Sequence, residues 1–397
     1  MTKLAMGKPW IDRTDERAVL EVLRSGQLAL GARSEGFERE LAAYVGTKHG
    51  VAVSSGTTGL HLAVLVAGVQ RGDEVVTTPF SFVASTNCFL YEGARPCFVD
   101  IDPDTLMPTA EAMGAAVTSR TRALLSVDVF GNPADADGLR RVARRHGLPI
   151  IEDACEALGS EYKGRRAGSL GDVAVFGFYP NKQITTGEGG MVVTDKPRWA
   201  ATLRALRNQG REVHDAWLTH SRVGFNYRLD EMSAALGLSQ LRRIEKLLKG
   251  RERVAEAYRT RLSRMELLEP PRPVPTTTRM SWFAYVIRLA PELHRDEVMR
   301  ALAERGVPTR GYFSPLHLQP AYQERFGFRE GQFPVTEAMS RRCLALPFHP
   351  RMTQAEVDAV CDALAAVTAR RGVRRGGRAA ARPAREAARR ARAAPRR

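Results

Sequence analysis

Short apolar runs alternate with stretches of helical spacing along most of the chain. Val51-Ala52-Val53, 74–77, 95–100, 123–127, Pro149-Ile150-Ile151 and 173–178 are such runs, each ending near a polar or turn-forming residue, the pattern of strands buried on both faces. Between them, residues 35–44 place Phe37, Leu41 and Tyr44 on one helical face and stop at Gly46. Residues 60–67, 109–117 and 135–146 read as further helices, and 191–194 as a strand returning from a glycine-rich turn. This alternation predicts an α/β fold with a mainly parallel sheet covered by helices on both faces. A long helical stretch is expected over 230–265, where Met232, Ala235, Leu238, Leu241 and Ile244 recur at helical spacing. The proline-rich EPPRPVP at 269–275 leads into a second unit. That unit has a strand at 284–289, a helix at 295–305, and a closing helix at 353–369 capped by Thr353 with Glu356 three residues on. The expected division is a large domain over 1–245, a small α+β domain over 246–369 and a tail over 370–397. The tail is almost only Arg, Ala, Gly and Pro, cannot bury enough to fold, and is expected to be disordered.

Composition adds bounds rather than identity. A chain of 397 residues exceeds the usual single core, which supports two domains, and its 44% hydrophobic content is ordinary for a globular protein. No apolar run approaches the roughly 20 residues that cross a bilayer, and the first ten residues lack the apolar core of a signal peptide. A cytoplasmic protein is expected. The five cysteines (Cys88, Cys97, Cys155, Cys343, Cys361) show no C-x-x-C spacing, so buried thiols are expected rather than a metal or redox site. The net charge of +16 is mostly local: residues 370–397 hold twelve arginines against one acid, Glu386. Such a tail would attract nucleic acid or acidic membranes electrostatically, but the plainer reading is an extension outside catalysis. No specific nucleic-acid or membrane partner is expected. The remaining body is mildly basic, which suits anionic cofactors and substrates.

The candidate chemistry gathers in 150–194. Glu152 and Asp153 end one apolar run; the next ends at Tyr179-Pro180-Asn181, where the proline bars a strand from continuing, and Lys182 follows on a loop rich in glycine (Gly187, Gly189, Gly190). Ligands in open α/β sheets bind at the carboxyl ends of strands, so Asp153 and Lys182 are expected to meet there. A lone lysine after a strand is usually a solvated charge, and an acid at a strand end usually a cap. Upstream, Ser54-Ser55-Gly56-Thr57-Thr58-Gly59 gathers small residues and free N–H groups at a strand-to-helix turn, which is either an anion site or a plain helix cap.

These segments together resemble the DegT/StrS-type sugar-nucleotide aminotransferases, pyridoxal phosphate (PLP) enzymes of the aspartate-aminotransferase-like fold type I. The likeness rests on EDA at 152–154, NKQITTGEGG at 181–190, the SGT turn and GFNYR at 224–228, and it extends from about Gly26 to about Arg370. It implies that Lys182 carries the Schiff base and shuttles protons, that Asp153 bonds the pyridinium nitrogen, that Gly56 and Thr57 hold the phosphate, and that Phe82 stacks on the ring. Glu156 would lie near the phenolic oxygen. Asn226 would reach the phosphate of a second subunit, implying a homodimer with shared sites. Tyr312 and His317 would lie near the substrate. The implied reaction is ping-pong amination of a keto group on a nucleotide-linked sugar, with L-glutamate as amino donor.

Three positions depart from the commoner pattern. Glu156 stands where many relatives have Gln or His, Gly177 where many have Ser, and Asp128 where a histidine is common. A carboxylate at 156 would repel a phenolate unless protonated or paired. Rival readings are amination of a cyclitol ketone, a sugar dehydrase on the same scaffold, and a basic-tailed binding protein on a retired aminotransferase fold. The dehydrases replace the Schiff-base lysine with histidine, and Lys182 argues against that reading.

Overall fold

The computed structural model describes residues 4–212 and 214–379. Two helices, α1 (Arg13–Ser25) and α2 (Ala32–Val45), precede the first strand, β1 (His49–Val53). Then follow α3 (Gly56–Val66), β2 (Glu74–Thr77), α4 (Ala84–Leu90), β3 (Arg95–Phe98), α5 (Ala110–Ala115), β4 (Thr121–Val127), α6 (Ala136–His146) and β5 (Ile150–Asp153). A small hairpin, β6 (Glu161–Tyr162) and β7 (Arg165–Arg166), leads to β8 (Val173–Gly177), β9 (Gly190–Thr194) and α7 (Pro197–Arg207). The main sheet has seven strands in the order β1-β9-β8-β5-β4-β2-β3. Only β9 runs against its neighbours, pairing antiparallel with both β1 and β8. The carboxyl ends of β1, β2, β4, β5 and β8 therefore share one edge of the sheet, and β9 starts there.

The expected long helix over 230–265 is two helices, α8 (Glu231–Arg242) and α9 (Ile244–Leu262). The break falls at Arg243 (φ −120°, ψ 19°), whose guanidinium is pinned by Asp12, Asp15 and the Trp10 carbonyl at the start of α1. Apolar periodicity alone could not reveal this, because the kink is imposed by residues more than 200 positions away. A second sheet follows, with β10 (Leu268–Glu269), β12 (Tyr285–Leu289), β13 (Arg310–Gly311) and β14 (Cys343–Leu346) in the antiparallel order β10-β12-β14-β13. The intervening β11 (Thr277–Arg279) pairs with β6 instead. Helix α10 (Arg295–Ala303), the short α11 (Pro320–Phe326) and α12 (Pro334–Ser340), and α13 (Gln354–Ala379) complete the chain. Thr353 and Glu356 cap α13 reciprocally, at 2.8 and 3.2 Å.

Burial follows the two sheets. Val51, Val75, Leu124, Ile151, Val175 and Val192 lie fully inside the main sheet, while Tyr258, Tyr285, Ile287, Leu344, Val357 and Leu364 form a separate core around the second. Helix α13 runs to Ala379, into the stretch from 370 onward where disorder is expected. Arginine and alanine are strong helix formers and the first proline of the tail comes only at Pro383, so the composition permits the helix to continue. The rest of the basic tail, 380–397, lies outside the described residues. Among the described residues no helix is long and apolar enough to cross a membrane.

Candidate active site

Asp153 is the last residue of β5 and is 6% exposed. Its Oδ2 accepts from the Ser85 hydroxyl at 2.6 Å and its Oδ1 from the Cys155 N–H at 3.2 Å, while Ser85 Oγ is 2.7 Å from Ser81 Oγ. The carboxylate is thus held from two sides, with no cationic partner in an ion pair among the described residues. Lys182 sits on the loop after β8, in a turn closed by its own N–H donating to the Tyr179 carbonyl at 2.9 Å. Its Nζ is 3.7 Å from Glu156 Oε1 and 4.0 Å from the centre of the Phe283 ring. Glu156 accepts from the Phe130 N–H at 2.9 Å. Burial pushes the Glu156 carboxyl up, against the opposing pull of Lys182, and Asp153 pushes it up further. The Cys155 thiol is raised well above its ordinary value, first by burial and then by Asp153, with Lys182 again opposing. Asp153 and Lys182 therefore act on the same two neighbours: residues 29 positions apart in sequence are brought to one strand-end cluster.

Beside that cluster begins α3. Ser55 is its N-cap, accepting from the Thr58 N–H at 3.1 Å, while Thr58 Oγ1 accepts from the Ser55 N–H at 3.0 Å. This reciprocal cap draws the SGT turn into the helix, so α3 starts at Gly56 rather than at the expected residue 60. Gly56 and Thr57 become the first two helical residues, whose N–H groups have no intrahelical acceptor and point outward with the positive end of the helix dipole. The turn is crowded by backbone: a Cβ on Gly190 would lie 2.5 Å from the Ser55 carbonyl oxygen, and one on Gly56 only 3.3 Å from Gly177 Cα. At Gly177 itself an added Cβ would meet nothing closer than 3.5 Å, so that glycine is not imposed by crowding. A phosphate at free N–H groups, a carboxylate for a ring nitrogen and an amine for an aldehyde are what PLP requires, and these residues fit it.

Tyr312 faces the same cluster. Its ring stacks on Phe130 (centroids 6.0 Å apart, 18° between planes) and near Phe283 (6.5 Å, 11°), and its hydroxyl is shifted upward by burial and then by Glu156. Phe82 lies on the loop before α4 with its ring 62% exposed. Asn226 is exposed; the chain beside it is tied to the SGT turn by the Ser54 N–H donating to the Tyr227 carbonyl at 2.9 Å. His317 is not brought to the cluster surface. It is fully buried, with Nε2 3.0 Å from Glu337 and its ring edge-on to Phe333 at 4.7 Å.

Sequence reasoning passed over several neighbours. Gln183 is buried, and its amide donates to the Glu156 carbonyl at 2.6 Å and to Ser281 Oγ at 2.8 Å, locking the lysine loop to the segment that carries Glu156. Ser85 and Phe283 touch Asp153 and Lys182 directly. Adjacency to Lys182 was the only signal for Gln183, and nothing in the sequence marked the other two.

Asp128 and Glu152 form a second buried acid pair one residue upstream of Asp153. Glu152 accepts the N–H groups of Leu170 and Gly171 at 2.9 and 2.8 Å, and that of Gly168. Asp128 Oδ1 accepts from the Ala134 N–H at 3.0 Å, whereas among the described residues its Oδ2 meets no N–H or cationic donor and interacts with Glu152. Two carboxyls so placed do not both ionise. Asp128 is the one held protonated, its affinity raised well above the ordinary carboxyl value by burial and then by Glu152. The folded state thus keeps a proton that the unfolded chain releases above about pH 4, the ordinary aspartate value, so stability falls as pH rises from there toward the raised folded value. Asp128→Asn should keep the donor to Glu152 and remove this slope. We expect its melting temperature to exceed the parent's by about 2–4 °C at pH 8 and the gap to close toward pH 4. A uniform loss across that range would show that the pair does not share a proton.

A family profile described as the DegT/DnrJ/EryC1/StrS aminotransferase family matches residues 9–365. The chain belongs to that family. It is 38% identical over 370 residues to GDP-perosamine synthase of Caulobacter vibrioides, spanning 92% of this chain and 99% of that one. Among solved structures, the aminotransferase TlmJ of Streptoalloteichus hindustanus superposes with a TM-score of 0.87 at 34% identity, covering 92% of this chain and 99% of that chain. DesV of S. venezuelae, solved in complex with a ketimine intermediate, gives 0.83 at 38% identity, with 88% and 93% covered. The protein is a PLP-dependent aminotransferase of fold type I, as the resemblance implied.

Proposed function

We propose that the protein aminates a keto group of a nucleotide-linked sugar, taking the amine from L-glutamate. The observation that carries this reading is the cluster of Lys182, Glu156 and Asp153 beside the free N–H groups of α3, in a chain 38% identical to GDP-perosamine synthase. PLP supplies the electron-accepting ring on which transamination depends. The residues do the rest. Gly56 and Thr57 donate main-chain N–H groups to the phosphate, Asp153 holds the proton on the ring nitrogen, and Lys182 Nζ is the anchoring amine and the base that moves the proton at the amine-bearing carbon. Burial pushes the Glu156 carboxyl up, which favours the protonated form that would donate a hydrogen bond to a phenolic oxygen rather than repel it. In this reading Phe82 covers the cofactor face, as its exposure allows, and Tyr312 lines the substrate side. His317 stays in this reading only as a buried support for the segment that carries Tyr312. All five cysteines are free, in keeping with a reducing cytoplasm.

The test is a panel of dTDP-, UDP- and GDP-linked keto sugars, with a cyclitol ketone as an added arm, incubated with L-glutamate and read by 2-oxoglutarate release. Turnover confined to the cyclitol would replace the sugar reading, and no turnover with any acceptor would remove it.

A homodimer with shared sites belongs to the same proposal. Asn226 is exposed, and the chain leading to it carries Trp217, Leu218 and Val223 at 80, 71 and 91% exposure, apolar side chains that a second subunit would cover. Hybrid dimers give the decisive measurement. A Lys182→Ala subunit paired with an Asn226→Ala subunit has one intact site and one doubly defective site if the two residues come from different chains, and should recover about half of parent activity. Activity no higher than the mean of the two mutant homodimers would assign both residues to one chain.

A further inference from the structure

Helix α9 passes from one core to the other. Ile244, Leu247 and Leu248 pack against the main sheet, whereas Val254, Ala255, Tyr258 and Leu262 pack against the second. Arg251 sits at the crossover and is 2% exposed. Among the described residues no acid offsets that burial, and desolvation pushes its guanidinium down to about 10. Its hydrogen-bond partners among the described residues are four main-chain carbonyls, and its guanidinium lies 5.8 Å from the centre of the Phe348 ring. Nη1 donates to Trp282 and Phe283 at 3.1 and 3.2 Å, and Nη2 to Asn181 at 3.2 Å and to Lys182. A buried cation without a counter-ion is costly, and an apolar residue could fill the same space at lower cost. What an apolar residue could not do is bind two chain segments at once, which the planar fork of a guanidinium allows.

Both segments bear on one amine. The first is the main chain of Lys182 itself; the second carries Phe283, whose ring lies 4.0 Å from Lys182 Nζ. Trp282 and Phe283 also lead directly into β12 of the second sheet. We infer that Arg251 is a positioning residue for Lys182: one side chain fixes the lysine's base and the ring that cups its ammonium, and ties both to the junction of the two cores. Its removal would let Nζ drift from Glu156 and the Asp153 end without deleting any group that touches the cofactor. The inference rests on the reading of Lys182 as the amine that bonds PLP.

The test follows capture of PLP by Lys182 in the full-length protein, first stripped of bound cofactor with hydroxylamine. The new bond is fixed with borohydride and located by peptide mass mapping, and its rate is measured against pH. Misplacing a reacting group by about 1 Å costs up to about 100-fold. We expect Arg251→Lys, which keeps a charge but cannot reach all four carbonyls, to stay folded and slow capture about tenfold. Arg251→Gln should slow it further, and in both the pH dependence of capture should change, because the Glu156 carboxyl loses the fixed Lys182 ammonium that opposes the upward push of burial. Retention of the parent rate and pH dependence by folded Arg251→Lys would overturn the inference. So would failure of Arg251→Lys to fold, which would leave Arg251 a packing residue. Capture at a lysine other than Lys182 in the parent protein would instead bring down the reading of Lys182, and the inference with it.

Discussion

Lys182→Ala is expected to give a folded protein without transaminase activity. The change removes the amine that anchors the cofactor and the base that moves the proton, and general acid–base transfer alone is worth about 10²–10⁴-fold. We therefore expect 2-oxoglutarate release to fall at least about 10⁴-fold. The fold should survive because, among the described residues, the Lys182 ammonium meets Glu156 and the Phe283 ring, while the loop's main chain is held by Arg251 and its neighbour Gln183 by Glu156 and Ser281. A pH signature should accompany the loss. Burial already raises the Glu156 carboxyl, and Lys182 is the main influence lowering it. Without the lysine its folded value rises further, so the folded state binds a proton more tightly than the unfolded one, and stability drops as pH climbs from the ordinary carboxyl range toward that raised value. The variant should melt near the parent at pH 5 and progressively below it by pH 9. Activity near the parent rate would sink the assignment; a pH-independent melting difference would detach Glu156 from Lys182.

The elements that were legible in the sequence are those whose cause is local. Strand β2 falls on 74–77 as expected and β5 ends at Asp153, because a strand buried on both faces must be apolar along its whole length and stops where an acid or turn begins. The meeting of Asp153 and Lys182 followed from the same rule together with the shared carboxyl edge of the sheet. What escaped was set by distant contacts. Arg243 breaks the α8–α9 stretch because Asp12 and Asp15 hold it, Ser85 meets Asp153 across 68 residues, and Gln183 meets Ser281 across 98. His317 shows the converse: a histidine in a promising stretch is occupied by Glu337 in a buried aromatic cluster. Arg251 offers no sequence signal at all, since on a charged helix it looks like any solvated arginine.

Asp153→Asn should keep the fold and the bound cofactor and lose most of the rate. The position is fixed by the sheet, where Asp153 pairs with Val127 and its carbonyl accepts the Asp128 N–H at 3.1 Å, so the substituted side chain has to occupy the same place. The amide oxygen can still accept from the Cys155 N–H or the Ser85 hydroxyl, but the negative charge is gone. A neutral amide cannot favour the protonated ring nitrogen, and removing one preorganised electrostatic partner of this kind costs about 10²–10³-fold. Both half-reactions should slow by that factor, the one with L-glutamate and the one with the keto sugar, because each needs the same charged ring. Retention should change little, since the phosphate at α3 and the bond to Lys182 remain. Ser85→Ala separates charge from placement. It leaves the carboxylate in place with one hydrogen bond fewer, and its loss should be nearer tenfold, in line with about 1.5 kcal/mol for one hydrogen bond to a charged group. If Asp153→Asn turned over at the parent rate while Ser85→Ala did not, the hydroxyl of Ser85 rather than the carboxylate would be the group that governs the ring nitrogen.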